Sequence, residues 1–255
     1  MEKSLRFLNK TAIVTGGASG IGKCLTELLR TEGARVVVFD KAAPDGDIVD
    51  ESISVDVASE SDIERAVSMV VERLGKIDML ANCAGISHKS SILETSLKSW
   101  NEVIGVNLTG TFLVSRETAK AMVKTGGGSI VNIASVDAHA ADPDFASYNT
   151  SKAAILGLTR SFAVELGRQG VRVNSVSPGL VLTPMVAHSS SNPAILKHLQ
   201  EDFRRVPMGR AMQPLEIAKA CSYLLSEDAS GVTGSDLIVD GGMMADSFLM
   251  NSLPA

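Results

Sequence analysis

Three polar residues in the middle of the chain have the types and the spacing needed for proton transfer. Tyr148 and Lys152 stand four positions apart at the start of a helical pattern, which puts their side chains on one helix face. A tyrosine has a pKa of about 10, and an ammonium roughly 4–5 Å away would lower that pKa by about two units. Ser135 ends the preceding apolar segment and is placed to hydrogen-bond the same reacting oxygen. The set indicates proton exchange with an alcohol or a carbonyl compound.

Tyr and Lys at this spacing are also common on ordinary, partly exposed helix faces. The spacing alone therefore does not distinguish a catalytic pair from an ordinary surface pair, and a second motif is needed. The segment TGGASGIG, residues 15–22, lies between the first strand pattern and the first helix pattern. Gly16, Gly20 and Gly22 would let the backbone approach a pyrophosphate at the helix N-terminus. Asp40 ends the next strand about twenty residues on, where a carboxylate accepts hydrogen bonds from the adenosine ribose and repels a 2′-phosphate. The motif predicts NAD as the cofactor, and Lys41 is the residue that argues for NADP.

The elements that would position these residues alternate between buried strands and amphipathic helices. This alternation predicts the α/β class, as a single-domain Rossmann-type doubly wound parallel sheet with helices on both faces. One domain would cover residues 1–255, with a substrate-binding segment at 183–213 before the last helix and strand. The crossover at 41–51 is barely long enough for a helix, so we expect a loop or a single turn there. The predicted strands are 11–16, 34–40, 52–57, 76–85, 126–135, 171–179 and 236–242, and the long predicted helices are 97–124 and 151–167.

Composition excludes several classes of protein. The net charge of the 255 residues is −5 with both signs dispersed, which leaves no basic surface for nucleic acid or for a membrane. Cys24, Cys83 and Cys221 are widely spaced and odd in number, so they predict neither a disulfide framework nor a zinc site. The sequence has no signal-peptide pattern and no apolar run of the roughly eighteen residues that span a membrane. We expect a cytoplasmic protein without a metal site, whose partners include neither nucleic acid nor a membrane.

With both motifs in place, the chain resembles the short-chain dehydrogenase/reductase family over nearly its whole length. TGGASGIG matches the family's T-G-x-x-x-G-x-G turn, and YNTSK at 148–152 contains its Tyr and Lys. Residues 82–85, Asn-Cys-Ala-Gly, are similar to its N-N-A-G strand end. Cys83 departs from that pattern at a position that chiefly steadies the sheet in relatives. The departure therefore bears on local stability more than on chemistry.

The resemblance implies a role for each matched residue. Tyr148 would exchange the hydroxyl proton and Ser135 would polarise the oxygen, while Lys152 would lower the Tyr148 pKa and hold the nicotinamide ribose. Asn107 would hold a helix irregularity and a water of the proton relay. The catalytic set is thus Asn107, Ser135, Tyr148 and Lys152, and the cofactor set is Gly16, Ser19, Gly20, Ile21, Gly22, Asp40, Asp56, Val57, Asn82, Ala84, Gly85, Tyr148, Lys152, Pro178, Gly179, Val181 and Thr183. The sequence does not identify the substrate. Candidate substrate residues, chosen for their places beside the catalytic motifs and in the segment at 183–213, are Ser135, Asp137, His139, Phe145, Tyr148 and Met185.

Three functions remain open at this point. The first is an NAD-dependent oxidoreductase that transfers a hydride between the nicotinamide and a secondary alcohol or ketone. The second is a 3-oxoacyl-thioester reductase, which Arg204 and Arg205 would permit and Asp40 disfavours. The third is a non-catalytic nucleotide-binding scaffold, which the intact catalytic set disfavours. Apolar residues on the helix at 97–124 and in the tail at 243–255 indicate surfaces that a monomer would not expose. Relatives pair this helix and the Tyr148 helix across one twofold axis, and the last strand and helix across another, so the resemblance implies a homotetramer with the tail over a neighbouring subunit.

Overall fold

Seven parallel strands form the centre of the protein in the computed structural model, which describes residues 5–43, 50–189, 193–201 and 203–246. The strands are β1 (Thr11–Thr15), β2 (Arg35–Asp40), β3 (Glu51–Ser54), β4 (Met79–Asn82), β5 (Gly128–Ile133), β6 (Val171–Pro178) and β7 (Asp236–Val239). Their order in the sheet is β3-β2-β1-β4-β5-β6-β7, and every pair of neighbours is parallel. The predicted fold class is confirmed.

Helices cover both faces of this sheet. They are α1 (Gly20–Thr31), α2 (Glu60–Leu74), α3 (Leu97–Ile104), α4 (Thr111–Lys124), α5 (Ala146–Leu166), α6 (Pro184–Ser189), α7 (Pro193–Glu201) and α8 (Pro214–Leu225). Apolar side chains of α1 and α8, such as Leu25 and Ile217, form one core with the sheet. Side chains of α2, α4 and α5, such as Ile63, Val114 and Ala163, form a second core on the opposite face. The inner strands β1, β4, β5 and β6, together with most of β2, are buried on both sides, which explains their nearly continuous apolar sequences.

Several elements differ from the sequence prediction. The strand predicted at 76–85 covers only Met79–Asn82, and the helix predicted at 151–167 begins at Ala146. The helix predicted at 97–124 is interrupted by a π-helical turn, Gly105–Gly110, so it forms the separate helices α3 and α4. The third strand ends at Ser54 instead of continuing to Val57. The segment at 183–213 contains the short helices α6 and α7. Most of the crossover at 41–51 lies outside the described residues, so the loop predicted there stays a prediction.

The strand order reverses between β1 and β4, because β2 lies on one side of β1 and β4 on the other. In an open parallel sheet this reversal leaves a crevice at the carboxyl ends of the strands, where ligands bind. The chain places the glycine-rich turn after β1 there, together with Asp40 at the end of β2 and Ser135 after β5. Within the described segments, no helix has both the length and the apolarity needed to cross a membrane.

Two glycines at the ends of the π-helical turn offer a matched test of its packing. A Cβ on Gly110 would lie 2.9 Å from the Val57 carbonyl oxygen, whereas one on Gly105 would meet nothing within 4 Å. We expect Gly110→Ala to lower the free energy of unfolding by about 1–3 kcal/mol through overpacking. Gly105→Ala should leave it unchanged or raise it by up to about 1 kcal/mol. Urea unfolding at equal protein concentration measures both, and equal effects of the two substitutions would contradict this account.

Candidate active site

A cavity of about 550 Å³ lies at the carboxyl ends of the strands. The glycine-rich turn, the ends of β2, β4 and β5, the start of α5 and the segment after β6 all contribute to its wall. Most of the residues that sequence reasoning assigned to the site meet there. The predicted residues that line the cavity are Gly16, Ser19, Gly20, Ile21, Gly22, Asp40, Asp56, Val57, Ala84, Gly85, Ser135, Asp137, Tyr148, Lys152, Pro178, Gly179, Val181, Thr183 and Met185.

The glycine-rich turn forms a cradle that side chains would fill. Gly16 has a φ of +65°, and a Cβ on it would lie 2.8 Å from the backbone of Ala84. A Cβ on Gly22 would meet the Gly16 carbonyl oxygen, so this glycine lets α1 pack closely on β1. Ser19 precedes α1 without a side-chain cap, and the first turn of α1 contains no acidic residue. These features fit a pyrophosphate held by backbone N–H groups at the helix N-terminus.

The carboxylates of Asp40 and Asp56 lie on the part of the cavity wall formed after β2 and β3. Asp40 accepts hydrogen bonds from the backbone N–H groups of Ala18 at 3.1 Å and Ala42 at 3.0 Å, so it also holds the glycine-rich turn. The Lys41 ammonium lies 2.8 Å from Asp56 Oδ2. This hydrogen bond is the main reason that the pKa of Asp56 is below its ordinary value. Lys41, the residue that would favour NADP, is thus paired with the carboxylate of Asp56.

Lys152 is almost completely buried at the centre of the site. Its ammonium donates to the Ile133 carbonyl oxygen at 2.7 Å, which joins the first turns of α5 to the end of β5. It lies 5.5 Å from the centre of the Tyr148 ring. Burial lowers the pKa of Lys152 to about 8, and Cys83 and Asp137 oppose that change. Lys152 therefore remains mostly charged near neutral pH.

The ionisation of Tyr148 differs from the sequence expectation. Burial is the main cause that raises the pKa of Tyr148 to about 12, and the nearby Asp137 raises it further. A hydrogen bond with Ser135 acts in the opposite direction. The expected lowering considered the ammonium of Lys152 alone and left out the loss of water around the phenol, which disfavours its charged form.

Asn107 lies behind the cavity wall, within the π-helical turn, and is completely buried. Its amide Nδ2 donates to the Ile86 carbonyl oxygen at 2.9 Å and to Ser151 Oγ at 3.0 Å. Its Oδ1 accepts from the Ile86 N–H at 2.8 Å. A Cβ on Gly85 would lie 3.4 Å from this Oδ1 and 3.7 Å from Lys152 Nζ, so the backbone of Gly85 passes close to both polar groups. The helix irregularity expected around Asn107 is present.

Besides Asn107, three further predicted site residues are not brought to the cavity wall. Asn82 is buried beneath it, where its Nδ2 donates to Ser115 Oγ and to Asn132 Oδ1, both at 2.9 Å. His139 Nε2 lies 2.8 Å from Asp236 Oδ2, at the start of β7. Phe145 immediately precedes α5 and is bridged to Ser90. None of the three is part of the cavity lining.

Sequence reasoning did not assign several residues that do line the cavity. Asp142 and Arg205 approach each other at 3.8 Å, although more than sixty positions separate them along the chain, and no spacing rule links them. Ile195, Leu199 and Phe203 are spaced four residues apart, which predicts one helical stripe that either packs internally or covers the site. Phe203 lines the cavity and Leu199 is buried, while the side chain of Ile195 lies outside the described residues. The other unassigned lining residues include Phe39, Cys83, Ile86, Val106, Val186 and Met243. Among the described residues, no group of His, Cys, Asp and Glu could hold a metal ion.

Comparison with known proteins agrees with this fold. A family model described as Enoyl-(Acyl carrier protein) reductase matches residues 16–244. D-threitol dehydrogenase of Mycolicibacterium smegmatis is 36% identical over 95% of this chain and 95% of its own. The 3-oxoacyl-[acyl-carrier-protein] reductase FabG of Thermotoga maritima is 35% identical over 94% of this chain and 100% of its own. The ligand-free structure of Thermoplasma acidophilum aldohexose dehydrogenase has a TM-score of 0.93 and 32% identity, covering 98% of this chain and 99% of that one.

A doubly wound sheet with a glycine-rich turn and a Ser, Tyr and Lys set at one cavity defines an oxidoreductase that uses a nicotinamide cofactor, NAD or NADP. The chain belongs to the short-chain dehydrogenase/reductase family. It is an oxidoreductase that acts on alcohols or ketones.

The buried ammonium of Lys152 predicts a specific dependence of stability on pH. Its folded-state pKa of about 8 lies below the ordinary 10.5, so the folded protein binds fewer protons than the unfolded chain between these values. The contribution of Lys152 to stability therefore rises with pH across this window. Lys152→Met lacks that rise. We expect the stability of the variant relative to wild type to fall by on the order of 3 kcal/mol as the pH is raised from 7 to 10.5.

Urea unfolding at fixed protein concentration and several pH values measures this difference. Lys98→Met is the control, because the Lys98 side chain is 87% exposed and its replacement removes no buried ammonium. A pH-independent difference for Lys152→Met would contradict the predicted cost of burying the ammonium.

Proposed function

We propose that this protein is an NAD-dependent oxidoreductase that interconverts a secondary alcohol and a ketone, with Tyr148 as the general acid and base. The observation that carries the proposal is that Ser135, Tyr148 and the buried Lys152 line one cavity with the glycine-rich turn. A charged lysine is costly to bury, and the site keeps one within reach of a phenol. Such perturbed groups in a cleft are typical of catalytic sites.

Three side chains would share the proton transfer. The Tyr148 hydroxyl would take the proton from the substrate alcohol or return it to the ketone oxygen. Ser135 would hold that oxygen, and its own Oγ is fixed by the backbone N–H of Asp137 at 3.1 Å. Lys152 would stabilise negative charge on the phenol as the proton leaves. Asn107 would position Lys152 through Ser151, whose hydroxyl donates to the Tyr148 carbonyl oxygen at 2.7 Å.

The residues around the glycine-rich turn would hold the cofactor. Backbone N–H groups at the start of α1 would bind its pyrophosphate, and Asp40 would accept hydrogen bonds from the adenosine ribose. Asp56 and Val57 would meet the adenine, while Gly179, Val181 and Thr183 would contact the nicotinamide. When bound, the cofactor supplies or accepts the hydride, and the protein provides orientation and electrostatics.

The preference for NAD over NADP is supported by charges at the ribose end. The Asp40 carboxylate lines the cavity and would repel a 2′-phosphate. The nearest candidate to bind that phosphate is Lys41, but its ammonium already contacts Asp56 at 2.8 Å. A phosphate would therefore have to displace a carboxylate from Lys41 while lying close to Asp40.

A second candidate function is reduction of a 3-oxoacyl thioester. The likeness to the 3-oxoacyl-[acyl-carrier-protein] reductase supports it, as does the presence of Arg205 at the cavity. Arg205 also approaches Asp142, which weakens its attraction for an acidic carrier. Turnover of acetoacetyl thioesters with NADPH that exceeds turnover of alcohols with NAD would favour this alternative. A non-catalytic scaffold would show neither activity.

We also propose that the chain forms a single domain, acts in the cytoplasm and assembles as a homotetramer. On the predicted helix surfaces, Phe112 and Ala153 are exposed, and a Cβ on Gly157 would meet nothing within 4 Å. Leu237 and Ile238 of β7 are also exposed. Val103, Leu113 and Val114, however, are buried within the chain itself and do not contribute to such a surface. The part of the tail at 247–255 lies outside the described residues.

Removal of one hydroxyl tests the role of Tyr148. We expect Tyr148→Phe to reduce kcat by at least about a hundredfold, because a positioned general acid and base contributes that much or more. Cofactor affinity should stay within a few-fold, since the ring remains. The matched control is Tyr223→Phe, which alters the chain's other tyrosine on the exposed side of α8. Steady-state kinetics measure kcat, and cofactor fluorescence measures the affinity. If Tyr148→Phe keeps more than about a tenth of the wild-type kcat, Tyr148 is not the general acid and base.

Substitution of Asp40 tests the choice of cofactor. Asp40→Ala should weaken NAD⁺ binding by about 1.5–3 kcal/mol, the usual contribution of hydrogen bonds to a charged group. It should also narrow the gap in affinity between NAD⁺ and NADP⁺, because the repulsion of the 2′-phosphate is lost. Asp40→Asn keeps an acceptor for the Ala18 N–H and separates the loss of charge from loosening of the turn. A wild-type enzyme that already prefers NADP⁺ would show that Asp40 does not set the preference.

A further inference from the structure

Asp137 is a charged residue of the cavity, and it has no direct role in the proposed proton transfer. It follows Ser135 by two positions, in the 3₁₀ turn Val136–Ala138 after β5. It lines the same cavity as Ser135 and Tyr148, and it is close enough to Tyr148 to raise the pKa of the phenol. Its backbone N–H donates to Ser135 Oγ at 3.1 Å. The carboxylate therefore lies beside the place where a reacting oxygen would be held.

The surroundings of Asp137 restrict what it can bind. Asp142, Arg205 and Lys152 are all close enough to change its ionisation. The formal charges of the two carboxylates, the guanidinium and the ammonium cancel, so this end of the cavity favours neither an anionic nor a cationic substrate. A carboxylate only accepts hydrogen bonds. The group that matches it is a neutral donor, of which the hydroxyl is the simplest.

The carboxylate is also incompletely stabilised by the protein. Burial and the neighbouring Asp142 raise the pKa of Asp137 to about 6, although a hydrogen bond from Ser135 opposes the rise. At neutral pH the group is still mostly ionised. A hydroxyl brought by a substrate would replace some of the hydration that the carboxylate loses in the cavity, through a charge-assisted hydrogen bond.

We propose that Asp137 selects substrates that carry a second hydroxyl next to the alcohol being oxidised, that is, vicinal diols and polyols. The inference rests on the proposed function, because Ser135 and Tyr148 must hold the reacting hydroxyl. The second hydroxyl donates to the Asp137 carboxylate, while apolar residues of the cavity such as Met185 and Phe203 offer contacts to the carbon chain. A substrate without that hydroxyl leaves the carboxylate with only its hydrogen bond from Ser135 and with less compensation for its lost hydration, which disfavours the analogue.

Two alcohols that differ by one hydroxyl test this selection. We expect wild-type enzyme to use 2,3-butanediol with a kcat/KM at least about tenfold above that for 2-butanol. Asp137→Leu keeps the approximate size of the side chain and should reduce this ratio to near one. Asp137→Asn keeps a weaker acceptor and should reduce it only in part, and it serves as the readout if the Leu variant does not fold. Asp144→Asn is the matched control, because Asp144 belongs to the next loop and does not line the cavity.

Each outcome of these measurements has a definite meaning. The inference fails if wild type uses both alcohols equally well or if the Asp137 variants keep the preference for the diol. It also fails if these variants lower kcat for both alcohols by the same factor, since Asp137 would then only position Ser135. A folded wild-type enzyme that oxidises no secondary alcohol of a broad panel, with NAD⁺ or NADP⁺, would instead contradict the proposed function itself.

Discussion

The arrangement of the cavity depends on one buried hydrogen bond, from the Lys152 ammonium to the Ile133 carbonyl oxygen. An ammonium in an apolar interior loses its hydration, so it persists only where fixed polar groups replace the lost water. The end of β5 supplies one such group, and this contact fixes the start of α5 relative to the sheet. Because Tyr148 lies one turn before Lys152 and Ser135 follows β5, the same contact sets the distance between the phenol and the serine. The lowered pKa of Lys152 shows that the cost of burial is only partly offset.

A chain of buried amides and hydroxyls keeps this geometry rigid. Asn82 of β4 bonds to Asn132 of β5, and Asn132 Nδ2 donates to Thr159 Oγ1 of α5 at 3.0 Å. Asn82 also donates to Ser115 of α4, so one network connects two strands to two helices. Apolar packing alone would permit α5 to slide by small amounts along the sheet, whereas paired polar groups are costly to separate in the interior. Asn82 was expected to contact the cofactor. The structure instead gives it a place in this supporting network.

The sequence was sufficient for the features that depend on local pattern. The glycines before α1, Asp40 at a strand end and the Tyr148–Lys152 spacing are all set by residues close along the chain, and the structure brings them to one cavity. Long-range pairs could not be predicted in this way. His139 contacts Asp236, nearly a hundred positions away, because the turn after β5 packs beside the sheet edge formed by β7. The pKa of Tyr148 was misjudged for a similar reason, since burial is a property of the whole fold.

At both ends of the cavity, a cation that lies near a carboxylate of the wall is paired with a second carboxylate. At one end the Asp40 carboxylate lines the wall while the adjacent cation, Lys41, contacts Asp56. At the other end Asp137 lines the wall while Arg205 approaches Asp142. In each case a second carboxylate reduces the attraction of the cation for an anionic ligand, and the first carboxylate still accepts hydrogen bonds. Such a pair would discriminate against phosphate and carboxylate groups and favour hydroxyl groups. The proposed preference for an unphosphorylated ribose and the proposed preference for a neutral polyol would then have one physical origin.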